Sequence, residues 1–520
     1  MAPNGVDPNE PRSVRAEEVY GPYPKNCMTP WKNSRDEGRE GDAVDVENLK
    51  EIAAQNFMEL PCDYRDKGTP DDWIPRDGRM VRLTGRHPFN AEPLLPELTK
   101  HNPKNPFLLP ANLHIIRNHG TVPKLDWETH TLSIEGPLVS DPVKLSMDEL
   151  TTTYPTTEFP VTISCCGNRR KEMNMIKQTI GFNWGSAAAG TNVYKGVLLR
   201  DLLKSVGVTA ESVADMTGSF VEFIGNEDLG NKCGGPGPFP DEPWAEKVKY
   251  ATSIPLAKCL DPADEVMVAF QANGQRLHPD RGYPIRLVIP GYIGGRMIKW
   301  LTRIRVIPHE SHSCYHYWDN KYLPPQVTAE VAAKDGWWYK QDYIINELSL
   351  NSFINKPAHN ATIPLAANID KTMVVSGYAH SGGGRKVTRV EVSSDLGVTW
   401  NLADIDRKEQ PNPYGKYWCW VWWYYDLPVA QMGKELWVRA WDTSNSPQAE
   451  RPVWTLMGQS SNHVFRVLVH TETSPDTGKV VYRFEHPTQA GQQSGGWATR
   501  LAGKVKSAGY GEINLASYVD

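Results

Sequence analysis

Residues 161–174, VTISCCGNRRKEMN, concentrate the reactive side chains of this sequence. A β-like run containing Val161 and Ile163 ends in the adjacent thiols Cys165 and Cys166, followed by Gly167, Asn168 and the pair Arg169-Arg170. Two guanidinium groups beside a thiol favour its thiolate, the form that binds soft metals or attacks electrophiles. The same letters fit two small buried cysteines closing a strand with surface arginines behind them. The segment alone leaves both readings open.

Further cations lie elsewhere. Arg117-Asn118-His119 follows the apolar residues Leu113, Ile115 and Ile116, and Arg281 and Arg286 flank Gly282-Tyr283-Pro284. Lys299 sits in Gly294-Gly295-Arg296-Met297-Ile298-Lys299-Trp300. Singly these read as surface charges. Together, beside glycine-containing turns whose backbone lets an anion come close, they suit a phosphate and a small oxyanion. Gly234-Gly235-Pro236-Gly237 is a weaker anion-loop signal.

The rest of the chain must position these groups. It has 520 residues, with 56 Lys+Arg against 61 Asp+Glu and a net charge of −5. That is globular composition with room for about three domains. It lacks the basic excess of a nucleic-acid binder, an apolar run of the roughly 18–20 residues that span a bilayer, and a secretory signal. Neither a nucleic-acid nor a membrane partner is expected. Eight cysteines without a CxxC spacing argue against zinc ribbons and fit free thiols in a reducing cytoplasmic compartment.

Residues 1–75 read as a mobile leader with one short amphipathic helix around Leu49, Ile52 and Phe57. Residues 76–345 mix helix and strand, an α+β pattern. Ser146-Met147-Asp148-Glu149 forms a capping box, and 194–207 predicts a helix with Leu198, Leu199, Leu202, Leu203 and Val206 on one face. Strands are expected at 265–270 and 285–289, with a tight turn at Asn273-Gly274. Across 346–484 the helical pattern gives way to alternation at Val390 and Val392, at Leu436, Val438 and Ala440, and at Val464, Arg466 and Leu468. That alternation predicts a β-sandwich. Ser393–Trp400 has the form of an Asp-box hairpin, read as a turn device. Residues 485–520 resemble a linker or tail.

The motifs Cys165-Cys166-Gly167-Asn168-Arg169-Arg170, Pro88-Phe89-Asn90-Ala91-Glu92-Pro93, Arg117-Asn118-His119 and Ser381-Gly382-Gly383-Gly384-Arg385 resemble the sulfite oxidase family of molybdenum-cofactor enzymes. The resemblance runs from about 80 to about 490 in the expected order. Within the family, Gly181-Phe182-Asn183-Trp184-Gly185, Trp337-Trp338-Tyr339-Lys340, Tyr343-Ile344-Ile345-Asn346-Glu347-Leu348 and Phe484-Glu485-His486-Pro487-Thr488 are similar to the eukaryotic assimilatory nitrate reductases. The resemblance implies a sulfite-oxidase-type molybdopterin domain followed by an immunoglobulin-like β-sandwich that serves dimerisation, hence a two-fold homodimer.

It also implies roles. Cys165 is the protein thiolate on molybdenum, with two more sulfurs from the dithiolene of molybdopterin, and Cys166 fills a small-residue position. Arg117, His119, Asp228, Arg281, Arg286 and Lys299 join Cys165 in holding the cofactor, Arg281 standing where many relatives have His. Cys165, Arg117, Arg170 and Asn320 form the catalytic set, and Arg170, Trp184, Asn320 and Met457 the nitrate pocket.

Two positions separate nitrate from sulfite chemistry in this family. Sulfite oxidases carry Tyr at the position of Asn320 and Arg at that of Met457. A singly charged, weakly basic anion suits one cation fewer and an amide donor. The expectation is reduction of nitrate to nitrite by oxygen-atom transfer. The alternatives are sulfite oxidation and a non-catalytic β-sandwich interaction protein. No His-Pro-Gly-Gly haem motif occurs, so the haem and FAD domains are expected to be absent from this chain. Electrons would then come from a haem/flavin donor on a missing segment or a separate protein. The Asn360-Ala361-Thr362 sequon is expected to be unused.

Overall fold

A computed structural model describes residues 60–213, 217–229 and 249–500. The leader helix around Leu49 and the loop Gly234-Gly235-Pro236-Gly237 lie outside these residues.

The central sheet is built on the hairpin of Thr156–Ser164 and Ala189–Leu198, antiparallel over nine positions with Ser164 opposite Ala189. Met267–Ala272 continues the sheet from Ala189–Leu198 and pairs in turn with Gln275–Arg276 and Arg286–Val288. Tyr194 to Leu198 are therefore extended rather than helical: neighbours on both sides claim their backbone groups, and the helix begins only at Leu199 and ends at Ser205. Propensity yields to pairing here. Asn273 and Gly274 take φ of 49° and 73° in the two-residue turn expected of them.

A second sheet runs in the order Val143–Ser146, Thr131–Glu135, Leu301–Ile307, Phe220–Asp228 and Lys249–Pro255. Its pairing is antiparallel except between Thr131–Glu135 and Leu301–Ile307. The two sheets share one apolar core that includes Ile134, Val161, Leu202, Phe223, Val268, Leu287 and Ile304. Each such side chain contributes about 1.5–3 kcal/mol by leaving water. Ser146 caps the helix Met147–Thr153 in a full capping box with Glu149, a motif whose cap alone is worth about 1 kcal/mol.

Beyond residue 350 the chain is almost entirely strand, in two sheets of four and six strands. Phe353, Tyr378 and Trp423 from one meet Val390, Val438, Phe465 and Phe484 from the other. Strand Phe465–Thr473 buries Phe465, Val467 and Val469, so its inward row is one residue out of phase with the Val464, Arg466, Leu468 row. Asp395 accepts hydrogen bonds from Thr399 N and Oγ1 at 2.9 and 2.6 Å, the geometry of an Asp-box turn.

Two segments are better packed than their composition suggests. Residues 60–75 do not behave as a leader: Asp66 and Asp71 are buried against Arg76, and Ile74 is fully buried. Residues 486–500 lie folded against the body rather than running off as a linker. The largely buried Lys171 ammonium donates to the carbonyls of Gln489 and Gln493 at 2.6 and 2.8 Å, and Gly491 N donates to Asn183 O at 3.1 Å. Backbone polarity, satisfied by one buried cation, substitutes for an apolar stripe. Among the described cysteines Cys62, Cys165, Cys166, Cys259 and Cys419 are free, whereas Cys314 is in a disulfide, unlike the all-thiol expectation. No helix among the described residues is long and apolar enough to cross a membrane.

Candidate active site

Strand Thr156–Ser164 delivers Cys165 to the rim of a cleft whose walls include His114, Arg117, Arg281, Lys299 and Asn320. The chain then turns sharply. Asn168 N donates to Cys165 O at 3.0 Å, Arg169 adopts φ 67°, and the helix Arg170–Ile176 starts at once. Gly167 is required at the turn, because a Cβ there would stand 2.8 Å from both the Arg170 guanidinium and the Trp184 ring. Gly167 N points at Cys165 Sγ at 3.4 Å. Cys166 lies beside this thiol, but its single S–H is directed at Asn320 Oδ1, 3.0 Å away. The Arg170 charge and the Gly167 N–H hold the Cys165 thiol well below the ordinary thiol range against the opposing effect of burial. That is a thiolate-ready cysteine.

Cations line the cleft in two groups. Arg117 and Arg170 both stack on Phe182, their guanidinium carbons 5.3 and 5.8 Å from its ring centre. Arg117 donates to Asn118 O at 2.6 Å, and Arg170 donates to Met457 O at 2.9 Å. The second group comes from 281–299. Arg286 donates to Arg281 O at 3.2 Å, while Lys299 donates to Asp280 O at 2.9 Å and to Asn118 Oδ1. Burial lowers Arg281 to about 10 and holds Lys299 well below the ordinary ammonium range. Carboxylates offset this burial only in part: Glu227 and Asp280 act on Lys299 and Asp280 on Arg281, while Asp280 is also bidentate to Arg76 at 2.9 Å and accepts from Asn118 Nδ2 at 2.8 Å.

His119 Nε2 donates to Asp319 at 3.0 Å, and the ring packs on Tyr250 with centroids 4.5 Å apart. Burial first, then the Arg117 charge, pushes this imidazole down to about 4 despite its carboxylate partner. Asp319 is held well below the ordinary carboxylate range, its own burial outweighed by the hydrogen bond from His119 and by the Arg117 and Arg170 charges. Asn320, at φ 58°, follows on the cleft wall.

Of the residues expected from sequence, the structure brings Cys165, Arg117, His119, Arg170, Arg281, Arg286, Lys299 and Asn320 to this one cleft. Three others fall elsewhere. Asp228 is exposed, and its neighbour Glu227 faces the cleft instead; in an extended strand adjacent side chains point to opposite faces. Met457 packs into the cluster of Met173, Trp454 and Leu456, so only its carbonyl serves the site, through Arg170, and Gln459 lines the cleft in its place. Trp184 is fully buried behind the thiol, against Leu83, Ile115 and Ala188. Sequence reasoning missed His114, Glu227, Asp319 and Gln459. Asp319 and Glu227 each adjoin a residue that had been singled out.

Residues 457–460 reach the site from the strand-rich C-terminal part, where Ser460 N donates to Cys166 O at 2.7 Å. On the other side of the Cys165–Arg170 turn, Arg169 bonds Glu172 at 2.8 and 2.9 Å, Asn351 at 3.1 Å and His463. The site is built by both halves of the molecule.

Two buried donor atoms on the cleft wall lack a hydrogen-bond partner among the described residues: Arg281 Nε and Asn320 Nδ2. Native structures seldom leave such donors unsatisfied. Their position in a cation-lined cleft, beside a thiolate-ready cysteine, fits a molybdenum bound through a phosphate-bearing dithiolene.

The comparisons with known proteins agree. Residues 119–315 match the oxidoreductase molybdopterin binding domain, and residues 342–472 match the Mo-co oxidoreductase dimerisation domain. The chain is 46% identical to an NADH nitrate reductase of Brassica napus over 499 residues, which is 95% of this chain and 52% of that protein. It is 48% identical to an NAD(P)H nitrate reductase of Hordeum vulgare over 84% of this chain and 47% of that one. With NADH nitrate reductase 1 of Arabidopsis thaliana it shares 45% identity over 90% of this chain and 49% of that one. The chain thus spans about half the length of these curated relatives. The sulfane dehydrogenase SoxCD of Paracoccus pantotrophus shares the fold, with a TM-score of 0.57 at 22% identity over 78% of this chain and 90% of that one. Around the cleft that holds Cys165, this chain therefore carries an oxidoreductase molybdopterin binding domain followed in order by a Mo-co oxidoreductase dimerisation domain.

Proposed function

We propose that this chain is the molybdenum-cofactor portion of a nitrate reductase, reducing nitrate to nitrite with two electrons and two protons and releasing water. The observation that carries the reading is a thiolate-ready Cys165 in an arginine-lined cleft whose unspent buried donor, Asn320 Nδ2, is neutral. The similarity to plant nitrate reductases along most of the chain supports it.

In this reading Cys165 is the protein ligand to molybdenum. Arg281, Arg286 and Lys299 hold the phosphate of the cofactor, with Arg117 and His119 beside its metal end. When bound, the cofactor supplies a reduced molybdenum centre that accepts one oxygen atom from nitrate. The chain's own residues bind and orient the anion. Arg170 and Arg117 are anchored through backbone carbonyls, so their charges are fixed before nitrate arrives. Such preorganised donors stabilise charge that builds on oxygen as an N–O bond breaks, by about 3–4 kcal/mol each. Asn320 adds a donor without adding charge. His119, neutral and tied to Asp319, keeps the wall polar without a second mobile cation.

We place the molybdopterin domain at about 76–345 and an immunoglobulin-like dimerisation sandwich at about 346–484, with a homodimer through that sandwich. The setting is cytoplasmic, and electrons arrive from a haem/flavin donor. Turnover with an artificial reductant, measured as nitrite formed, tests the reading against sulfite oxidation assayed on the same preparation. Nitrite production with no sulfite oxidation is expected; the reverse would overturn it. Because Met457 does not line the cleft, an N320Y variant should shift the balance toward sulfite more than M457R does.

A further inference from the structure

Cys166, which the family resemblance makes a filler of a small-residue position, does more than fill space. Its Sγ lies 3.0 Å from Asn320 Oδ1, and Gln459 Nε2 lies 3.4 Å from the same oxygen. A carboxamide carries its acceptor on one side and its two donors on the other. With two donors converging on Oδ1, the NH2 group must face away from them. Nδ2 is buried without a partner among the described residues, on a residue that is 4% exposed and lines the cleft.

The backbone of Asn320 is equally fixed. Its N–H donates to Asp319 Oδ1 at 3.0 Å, and its carbonyl accepts from Ile345 N at 2.8 Å. Its φ of 58° is one that Asn tolerates better than most residues. A Cβ on Gly295 would sit 2.7–2.9 Å from Nδ2, Oδ1 and Cγ, so the amide lies against bare backbone. Nitrate offers three acceptor oxygens and no donor. An amide turned the other way would present a carbonyl to the anion and leave its NH2 facing the thiol sulfur, a weak acceptor.

We propose that Cys166 and Gln459 are positioning residues for substrate: they hold the Asn320 carboxamide so that its NH2 group is presented to an oxygen of bound nitrate. This rests on the nitrate reading above and deepens it, since selection of the anion then depends on a thiol beside the metal ligand as well as on the arginines.

The test uses the full chain loaded with cofactor, with nitrate dissociation constants from titration calorimetry beside KM and kcat for nitrite formation. N320A should weaken nitrate about ten-fold, the loss of one hydrogen bond to a charged group. C166A should weaken it about three-fold with kcat within about two-fold, as expected for loss of a weak sulfur donor acting through a neighbour. C166S, which restores a donor, should bring the dissociation constant back toward the parent value. The double variant C166A/N320A should bind nitrate as N320A does, because Cys166 acts only through Asn320. Additive losses in the double variant, equal losses in C166A and C166S, or loss of molybdenum from C166A would overturn the positioning role. A parent protein that retains molybdenum yet neither binds nor reduces nitrate would overturn the nitrate reading itself, so the two failures are distinguishable.

Discussion

The two groups of cations in the cleft are buried by the same fold but are left in different electrostatic conditions. Arg117 and Arg170 share the face of Phe182, and each is anchored through one of its donors to a backbone carbonyl. Arg281, Arg286 and Lys299 are all lowered by burial, Asp280 beside them is shared with Arg76 so that it and Glu227 offset the burial only in part, and Arg281 Nε has no hydrogen-bond partner among the described residues. Burying unbalanced charge is costly unless a partner restores the balance. The second group is therefore built for an anion that stays, and the first for one that comes and goes. Under the proposed function, a resident cofactor phosphate and a turning-over nitrate would be that pair.

The comparison can be broken most sharply at the thiol. C165S should lose nitrite formation by about 10³-fold or more, because the oxygen of serine is a far poorer ligand for a soft metal. A variant keeping more than a tenth of parent turnover would remove the metal-ligand role. Next in size, the double variant R281L/R286L should lose affinity for bound molybdenum by about 100-fold or more, two charge-assisted hydrogen bonds at roughly 1.5–3 kcal/mol each, with the fold intact by circular dichroism. Metal analysis after gel filtration reads this directly. Equal metal retention would mean that these arginines do not hold the resident anion.

A third prediction concerns what keeps Asp280 away from that group. Arg76 bridges Asp66, Asp71 and Asp280 at 2.8, 3.2 and 2.9 Å with almost no solvent contact. R76M should cost about 3–5 kcal/mol of stability, as expected when one partner of a buried ion network is removed. Urea unfolding monitored by tryptophan fluorescence measures it. A loss under about 1 kcal/mol would place the network among surface-like pairs and contradict the tight packing of residues 60–75 described above.

Reading the cleft from sequence worked where chemistry and motif coincide and failed where geometry decides. Cys165, Arg170, His119 and the 281–299 cations are rare residue types beside turns, and the cleft gathers them. The choice of Asp228 over Glu227 misses by one residue because strand parity depends on register, which Lys249–Pro255 and Leu301–Ile307 impose from outside. The parity of Met457 and Gln459 is fixed in the same way by a loop packed between Trp454 and Cys166. The start of the helix Leu199–Ser205 and the packing of 486–500 depend on partners distant in sequence, which no local pattern reveals.

The smallest predicted effect is on pH. His114, on the cleft wall beside the retained cations, is pushed by burial down to about 3, and His380 and His486 to about 4. An unfolded histidine titrates near 6.5. Their stabilising contribution is thus complete above about pH 6.5 and is lost as pH falls toward 4, where the unfolded chain binds protons that the folded one refuses. Melting temperature should decline across that window at constant ionic strength. A flat profile would mean these rings are not held neutral.

The central claim is that Cys165 is bonded to molybdenum in this cleft. X-ray absorption at the molybdenum edge, on the parent protein and on C165S with its metal retained, measures that bond. The account predicts one sulfur neighbour fewer in the variant and a lighter ligand in its place. An unchanged sulfur shell in C165S would contradict it.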